Sequence, residues 1–167
     1  TKMQMLFRGK NLVGYKEFDD SVISLFIKNA AKEGIHIYRI FDALNDVNNI
    51  KSSIEFVNRE GKNSQGTICY TTSPVHNEQY WLDVSKNIED LGATSLAIKD
   101  MAGLLRPNTA YELIKKLKKN LKIPVYLHTH STTGLADATN FKAYEAGVDN
   151  IDTSISSFSN LYAHTAT

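Results

Sequence analysis

Short β-rich segments alternate with longer amphipathic segments along the whole chain. The β-rich segments are "MQMLF" near residue 3, "IHIYRIFD" at 35, "QGTICYT" at 65, "TSLAIKD" at 94, "PVYLHTH" at 124 and "VDNIDTS" at 148. Four intervening segments place apolar residues at helical spacing: "SVISLFIKNAAKEG", "NNIKSSIEFVNREG", "NEQYWLDVSKNIEDLG" and "NTAYELIKKLKKN". Strand, helix and strand at this interval form a βαβ unit, so the pattern predicts an α/β protein with six parallel strands.

Such strands build either an open doubly wound sheet or a closed barrel. No glycine-rich phosphate turn follows any strand, which argues against a dinucleotide-binding open sheet. Polar residues end one strand after another, and a barrel gathers its strand ends at one mouth. A (β/α)8 barrel needs eight strands in about 250 residues, so we expect a partial barrel forming one domain over residues 1–167. The strand-end residues are Arg8, Asp42, Thr71, Lys99, His128 with His130, and Asp152.

Composition and charge restrict the partners and the compartment. The 19 Lys and Arg against 18 Asp and Glu give a net charge of +1, which does not favour binding to nucleic acid or to a membrane surface. Cys69 is the only cysteine, which excludes an internal disulfide and fits a reducing compartment. Because the sequence shows no signal peptide and no apolar run long enough for a membrane span, we expect a cytoplasmic protein.

Two histidines and a lysine are the strongest candidates for chemistry. Alternate side chains of a strand share a face, so His128 and His130 point together and can each give a nitrogen to a metal. The alternative is two histidines that hydrogen-bond in a polar loop. Lys99 lies one strand away, and it either extends toward the mouth or pairs with an acid. If burial lowers its pKa, its neutral amine can react with carbon dioxide to give a carbamate, which can bind a metal.

Six motifs in order along the chain carry a resemblance to a known family. They are "LFRGKNLVGY", "YRIFDALND", "CYTTSPVH", "AIKDMAGLL", "LHTHSTTG" and "EAGVDNIDTSISS". The chain resembles the carboxyltransferase domain of the biotin-dependent family that includes pyruvate carboxylase and the oxaloacetate decarboxylase α subunit. "CYTTSPVH" and the ending "AHTAT" are more similar to the decarboxylase α subunit. The resemblance implies a (β/α)8 TIM barrel from which the first and eighth strands are missing here.

The resemblance also implies a metal centre. A divalent metal, commonly zinc, manganese or cobalt, would be held by His128, His130, a carbamylated Lys99 and a first-strand aspartate that this sequence does not contain. With one ligand outside the chain, we expect weakened metal binding. The two edges that missing strands would leave open favour a homo-oligomer.

Three further residues match functional positions of the family. Arg8 matches an arginine that binds the substrate carboxylate, although a surface arginine would look the same. Tyr15 matches a tyrosine at the substrate and biotin pocket, and otherwise would be a packed aromatic residue. Cys69, with Lys99, is a catalytic candidate, and equally a small buried residue.

The implied activity is carboxyl transfer between oxaloacetate or pyruvate and biotin, through a metal-stabilised enolate. The biotin would be attached to a separate carrier domain or subunit, because the "AMKM" stretch is absent. The alternatives are the pyruvate carboxylase carboxyltransferase domain, metal-dependent lyases such as 3-hydroxy-3-methylglutaryl-CoA lyase, and a non-catalytic fragment. "IKDMAG" and "RGKNLVGY" argue against the lyases. Other polar and aromatic candidates are expected to be structural: Arg39, Asp42, His36, His76, His164, Tyr80 and Trp81.

Overall fold

The computed structural model describes residues 1–167 and contains one parallel six-stranded sheet whose strands follow in chain order. None of its helices has the length and apolar character needed to cross a membrane. All six predicted strands are confirmed. The strands are β1 (Met3–Phe7), β2 (Ile35–Phe41), β3 (Asn63–Cys69), β4 (Ser95–Asp100), β5 (Val125–Thr129) and β6 (Asn150–Ile151). The helices are α1 (Asp20–Lys32), α2 (Val47–Arg59), α3 (Glu78–Asp90), α4 (Pro107–Asn120) and α5 (Ala136–Glu145), and short 3-10 turns occur at Gly9–Asn11 and Ser156–Phe158.

The two faces of the sheet differ in character because side chains alternate along each strand. The face packed against the helices is apolar, and it belongs to a core cluster of 26 buried residues. The opposite face carries polar and charged side chains. On the apolar face lie Tyr38, Ile40, Ile68, Leu96, Ile98, Val125 and Leu127, and on the polar face Arg39, Gln65, Ser95, Lys99 and His128.

One ion pair shows that the sheet is strongly curved. Arg39 on β2 donates hydrogen bonds to Asp152, which directly follows β6. Three strands lie between β2 and β6, and a spacing of about 4.8 Å would place these strands roughly 19 Å apart in a flat sheet. An arginine side chain does not reach that far. The sheet is therefore a half-barrel, with the polar face on its concave side and the helices outside, as the partial-barrel prediction requires.

Helix α5 was not predicted, for a physical reason. Its buried face consists of small or polar residues, Ala136, Thr139, Asn140 and Ala143, whereas its large side chains Phe141 and Tyr144 are exposed. The helix therefore lacks the apolar periodicity on which the sequence prediction relied. The hydroxyl of Thr139 donates to the carbonyl of Leu105 at 2.9 Å, so polar contacts replace part of the apolar packing.

Helix α3 packs very close to β3 at Gly66. A Cβ atom at this position would lie 2.2 Å from Cγ2 of Ile88 and 3.4 Å from Cβ of Ala93. We expect Gly66→Ala to lower the free energy of unfolding by about 1–3 kcal/mol through overpacking, measured by urea denaturation.

Two comparisons isolate this contact. Adding Ile88→Ala should cost less in the Gly66→Ala background than alone, because it removes the clashing atom. Gly14→Ala is the matched control, since its Cβ would meet no atom closer than 3.6 Å. Equal destabilisation by the two glycine substitutions would contradict the close approach.

Candidate active site

An open cleft of about 640 Å³ lies at the carboxyl ends of β1 to β4. Arg8, Cys69 and Lys99, three of the residues singled out in the sequence, line it together with Phe41 and Met101. Parallel strands place their carboxyl ends at one rim, which is why residues so distant in sequence meet here. The cleft is the natural place for a small substrate.

Lys99 lines the cleft but is almost fully buried, with only 4% of its surface exposed. Strand pairing places it opposite Cys69 on one side and His128 on the other. Its ammonium group contacts the sulfur of Met101 and lies 5.5 Å from the ring centre of Phe41. Burial lowers the pKa of Lys99; Cys69 partly offsets this effect and the guanidinium of Arg39 adds to it. The surroundings thus raise the neutral fraction of this amine above that of an exposed lysine.

His128 is oriented by Asp152, which is in turn held by Arg39. The Nδ1 atom of His128 lies 2.7 Å from Oδ2 of Asp152. Burial by itself would raise the pKa of Asp152, but the hydrogen bonds from His128 and Arg39 hold it well below its usual range. Burial lowers the pKa of His128 to about 4, and the contact with Asp152 only partly opposes this. At neutral pH a carboxylate therefore faces a neutral imidazole.

This pairing fixes the tautomer of His128. An ionised carboxylate can only accept, so Nδ1 of His128 carries the proton and Nε2 presents a free lone pair. The 3.1 Å contact between Arg39 Nη1 and the same ring nitrogen then joins two donors and is not a hydrogen bond. Arg39 was predicted to form a structural pair, and the structure adds that this pair supports a candidate metal ligand.

Two more histidines lie beside His128. The ring centre of His130 is 5.2 Å from that of His128, and that of His164 is 4.2 Å from it. One ring nitrogen of each of the three lies within 4.8 Å of those of the other two. Nδ1 of His130 donates to the carbonyl of Tyr162 at 2.5 Å. The predicted pair of His128 and His130 is thus part of a three-histidine cluster.

His164 is the residue that the sequence analysis missed, because it was expected to be only structural. It lies 35 positions after Thr129, to whose carbonyl its Nδ1 donates at 2.9 Å. Position 164 belongs to an irregular segment with no periodic pattern, so nothing in the sequence placed it beside the other histidines. The only available signal was its residue type.

The donor set suits a borderline metal such as zinc or cobalt. Imidazole nitrogen is a preferred ligand of such ions, and anchoring of Nδ1 on an oxygen is the usual outer-shell arrangement. The residues present therefore fit a divalent metal on the concave face, beside Lys99.

Arg8 and Tyr15 lie at the outer side of the cleft. Arg8 is half-buried, and its Nη1 donates to the carbonyl of Gly14 at 3.2 Å. Its guanidinium lies 5.0 Å from the ring centre of Tyr15. Tyr15 is 92% exposed and is not among the residues that line the cleft. Arg8 lines the cleft whereas Tyr15 does not, and the assignment of both residues to substrate binding stays a prediction.

Cys69 ends β3 with a half-buried, protonated thiol. Burial raises its pKa to about 11, although the charge of Lys99 opposes the shift. Its backbone N–H donates to Oδ1 of Asn45 at 2.7 Å, which fixes the strand end. The thiol is therefore a hydrogen-bond donor rather than a nucleophile at neutral pH.

The remaining strand-end and aromatic candidates have structural contacts, as expected. Asp42 accepts from the backbone of Leu44 and Asp46, which caps the turn after β2. His76 stacks on the buried Trp81 with 5.3 Å between ring centres. These residues shape the surroundings of the cleft.

Comparison with known proteins matches this geometry to a family. Residues 35–158 match the family described as HMGL-like. The chain is 48% identical over 158 residues to a pyruvate carboxylase subunit of Methanocaldococcus jannaschii, covering 95% of this chain and 28% of that protein. It is 45% identical over 161 residues to the methylmalonyl-CoA carboxyltransferase 5S subunit of Propionibacterium freudenreichii subsp. shermanii, covering 95% of this chain and 32% of that protein.

Solved structures agree with the sequence comparison. The carboxyl transferase domain of Rhizobium etli pyruvate carboxylase, solved with pyruvate, superimposes with a TM-score of 0.97 at 38% identity, covering 99% of this chain and 29% of that one. The chain therefore spans about a third or less of the length of these relatives. The matched family, the two relatives and the half-barrel with its strand-end residues agree, and the chain belongs to the HMGL-like family.

Proposed function

We propose that this chain forms part of the active site of a biotin-dependent carboxyltransferase. The enzyme would move a carboxyl group between oxaloacetate or pyruvate and biotin on a separate carrier domain or subunit. The observation that carries the proposal is the convergence of Arg8, Lys99 and His128 on one concave rim. The names of the relatives, pyruvate carboxylase and methylmalonyl-CoA carboxyltransferase, support the same chemistry.

Arg8 would bind the carboxylate of the oxo acid. A guanidinium presents two parallel N–H donors that match a carboxylate, and Arg8 lines the cleft with part of its surface exposed. The substrate would thus be oriented with its carboxylate at Arg8 and its oxo group toward the histidines.

His128, His130 and a carbamylated Lys99 would hold a divalent ion, zinc, manganese or cobalt. The chemistry that such an ion supplies is polarisation of the oxo group, which stabilises the charge of the enolate. The carbamate would form when the lone pair of the neutral Lys99 amine attacks carbon dioxide: an N–C bond forms, one C=O π bond opens to give the carbamate oxygen its negative charge, and the nitrogen loses a proton to solvent. The burial that lowers the pKa of Lys99 supports this step.

Cys69 would assist as a neutral donor. Its protonated thiol lines the cleft next to Lys99, so it can donate a weak hydrogen bond toward the substrate. This role differs from nucleophilic catalysis, which would need a depressed pKa. Tyr15 would join the site where biotin enters.

Carboxylase and decarboxylase share this half-reaction. The motifs "CYTTSPVH" and "AHTAT" favour a protein most similar to the oxaloacetate decarboxylase α subunit, a lyase in overall reaction, whereas the named relatives include pyruvate carboxylases. The two relatives described above are a pyruvate carboxylase subunit and a carboxyltransferase subunit. Their names do not favour the alternative of a 3-hydroxy-3-methylglutaryl-CoA lyase. A non-catalytic role would appear as inactivity in a decarboxylation assay.

The central test is an oxaloacetate decarboxylation assay with biocytin as carboxyl acceptor, in which the pyruvate formed is measured with lactate dehydrogenase. We expect Lys99→Met to lower the rate by about 100-fold or more, since it removes a group that stabilises transition-state charge. Lys115→Met, on the exposed face of α4, is the matched control and should retain the unaltered rate. No biocytin-dependent activity in the unaltered protein would overturn the proposal.

Alkylation of Cys69 tests the state of its thiol. Because the pKa is raised to about 11, the rate with iodoacetamide should still rise steeply between pH 8 and pH 10, without a plateau. The same protein unfolded in urea should level off near pH 9, as expected for a free cysteine with a pKa of about 8.5. Lys99→Met should slow the folded protein further, since Lys99 favours the thiolate. A plateau by pH 9 in the folded protein would refute the shift.

We also propose that the protein is a homo-oligomer, since β1 and β6 are the edge strands of the described sheet. Sedimentation equilibrium at micromolar concentration should give a mass at least twice that of one chain. A single monomeric species over the whole concentration range would contradict this expectation.

A further inference from the structure

The segment after β6 folds back over the end of β5 and carries His164 to the rim. The backbone N–H of Ser131 donates to the carbonyl of Ala163 at 2.7 Å. On the other side of His164, the buried Thr165 accepts from Nδ2 of Asn140 through its hydroxyl at 2.9 Å. His164 is therefore held between two anchored neighbours and is not a freely moving surface side chain.

The three histidines present their ring nitrogens in the same way. Nδ1 of His128 is bound to Asp152, and Nδ1 of His130 and of His164 are bound to the backbone carbonyls of Tyr162 and Thr129. Each of these partners can only accept, so each Nδ1 carries the proton. Each Nε2 is left with a lone pair, and the structure gives no hydrogen bond to any of the three.

Three neutral imidazoles this close together offer lone pairs that a bound cation or hydrogen-bond donors would satisfy. The ring centres lie 4.2 to 5.2 Å apart, and one nitrogen of each ring lies within 4.8 Å of the others. Three neutral imidazoles with oxygen-anchored Nδ1 atoms are a typical donor set for zinc or cobalt, with one position open for a further ligand. Magnesium and calcium prefer oxygen ligands and would fit poorly.

We propose that His164 is a third imidazole ligand, so that His128, His130 and His164 together bind one zinc or cobalt ion. The inference rests on the proposed function for the use of this ion, but not for its binding. His164 joins the ligand set from a different segment than the other two histidines, and the three imidazoles bind the ion without Lys99. A carbamylated Lys99 would add a fourth ligand at the open position.

The test is titration of the chelator-treated protein with Co²⁺, followed by the visible ligand-field absorption, and with Zn²⁺ by calorimetry. The unaltered protein should bind one equivalent. His164→Gln keeps an amide donor for the carbonyl of Thr129 but has no imidazole, and it should bind about 100-fold more weakly with an altered Co²⁺ spectrum. Loss of an outer-shell partner alone lowers metal affinity 10–100-fold. Loss of a direct ligand should lower it at least as much.

Matched variants separate the possible outcomes. His36→Ala, a half-buried histidine outside the cluster that accepts from the backbone of Met3, should bind as the unaltered protein does. Lys99→Met should keep a metal affinity within about tenfold of that of the unaltered protein, because the three imidazoles remain. A cooperative thermal transition in both metal-free proteins confirms that both are folded when they are compared, and the zinc-induced rise of the melting temperature should be smaller in His164→Gln.

Three results would overturn the inference in different ways. If His164→Gln binds both ions like the unaltered protein while His128→Ala does not, His164 is not a ligand and the metal site of the proposed function stands. If Lys99→Met abolishes binding, the three imidazoles do not suffice, and the inference fails while the carbamate site is supported. If the unaltered protein binds neither ion, the inference and the metal part of the proposed function fail together.

Discussion

The buried guanidinium of Arg39 is the constraint around which the concave face is built. Only 3% of its surface is exposed, and an unpaired charge there would cost several kcal/mol. Gln65 and Asp152 satisfy it, one from the neighbouring strand and one from beyond β6. Since Asp152 meets Arg39 only in a curved sheet, the ion pair that stabilises the buried charge also stabilises the curvature that brings the strand ends together.

The charge balance of this face follows from the same pair. Asp152 is the one carboxylate in contact with His128 and Arg39, and these two contacts compensate its negative charge. Arg8 has no carboxylate within salt-bridge distance, so the cleft that it lines keeps the positive charge of its guanidinium. A cleft of one sign raises the local concentration of oppositely charged ligands. The cleft thus favours an anionic ligand before any specific contact forms.

The sequence predicted the strands and much of the site, but not how the site is supported. Six β-rich segments and the HxH pair were visible because alternation and spacing are local properties. Helix α5 was missed because small and polar residues form its buried face. The partnership of Arg39 with Asp152 joins positions 113 apart, and His164 reaches the rim through an irregular segment. Contacts of this kind form only in the folded tertiary structure, and no local sequence pattern encodes them.

The segment after β6 contributes both Asp152 and His164, and this has a kinetic consequence. Hydrogen bonds from Ser131 to Ala163 and from Asn140 to Thr165 fasten it to the rest of the fold, whereas much of its surface is exposed. Segments with exposed backbone bonds open locally more often than a buried core does. Each such opening would remove one ligand and the anchor of another at the same time. The lifetime of the proposed ion would then be set by the opening rate of this segment, and the bound ion would in turn slow the hydrogen exchange of the segment.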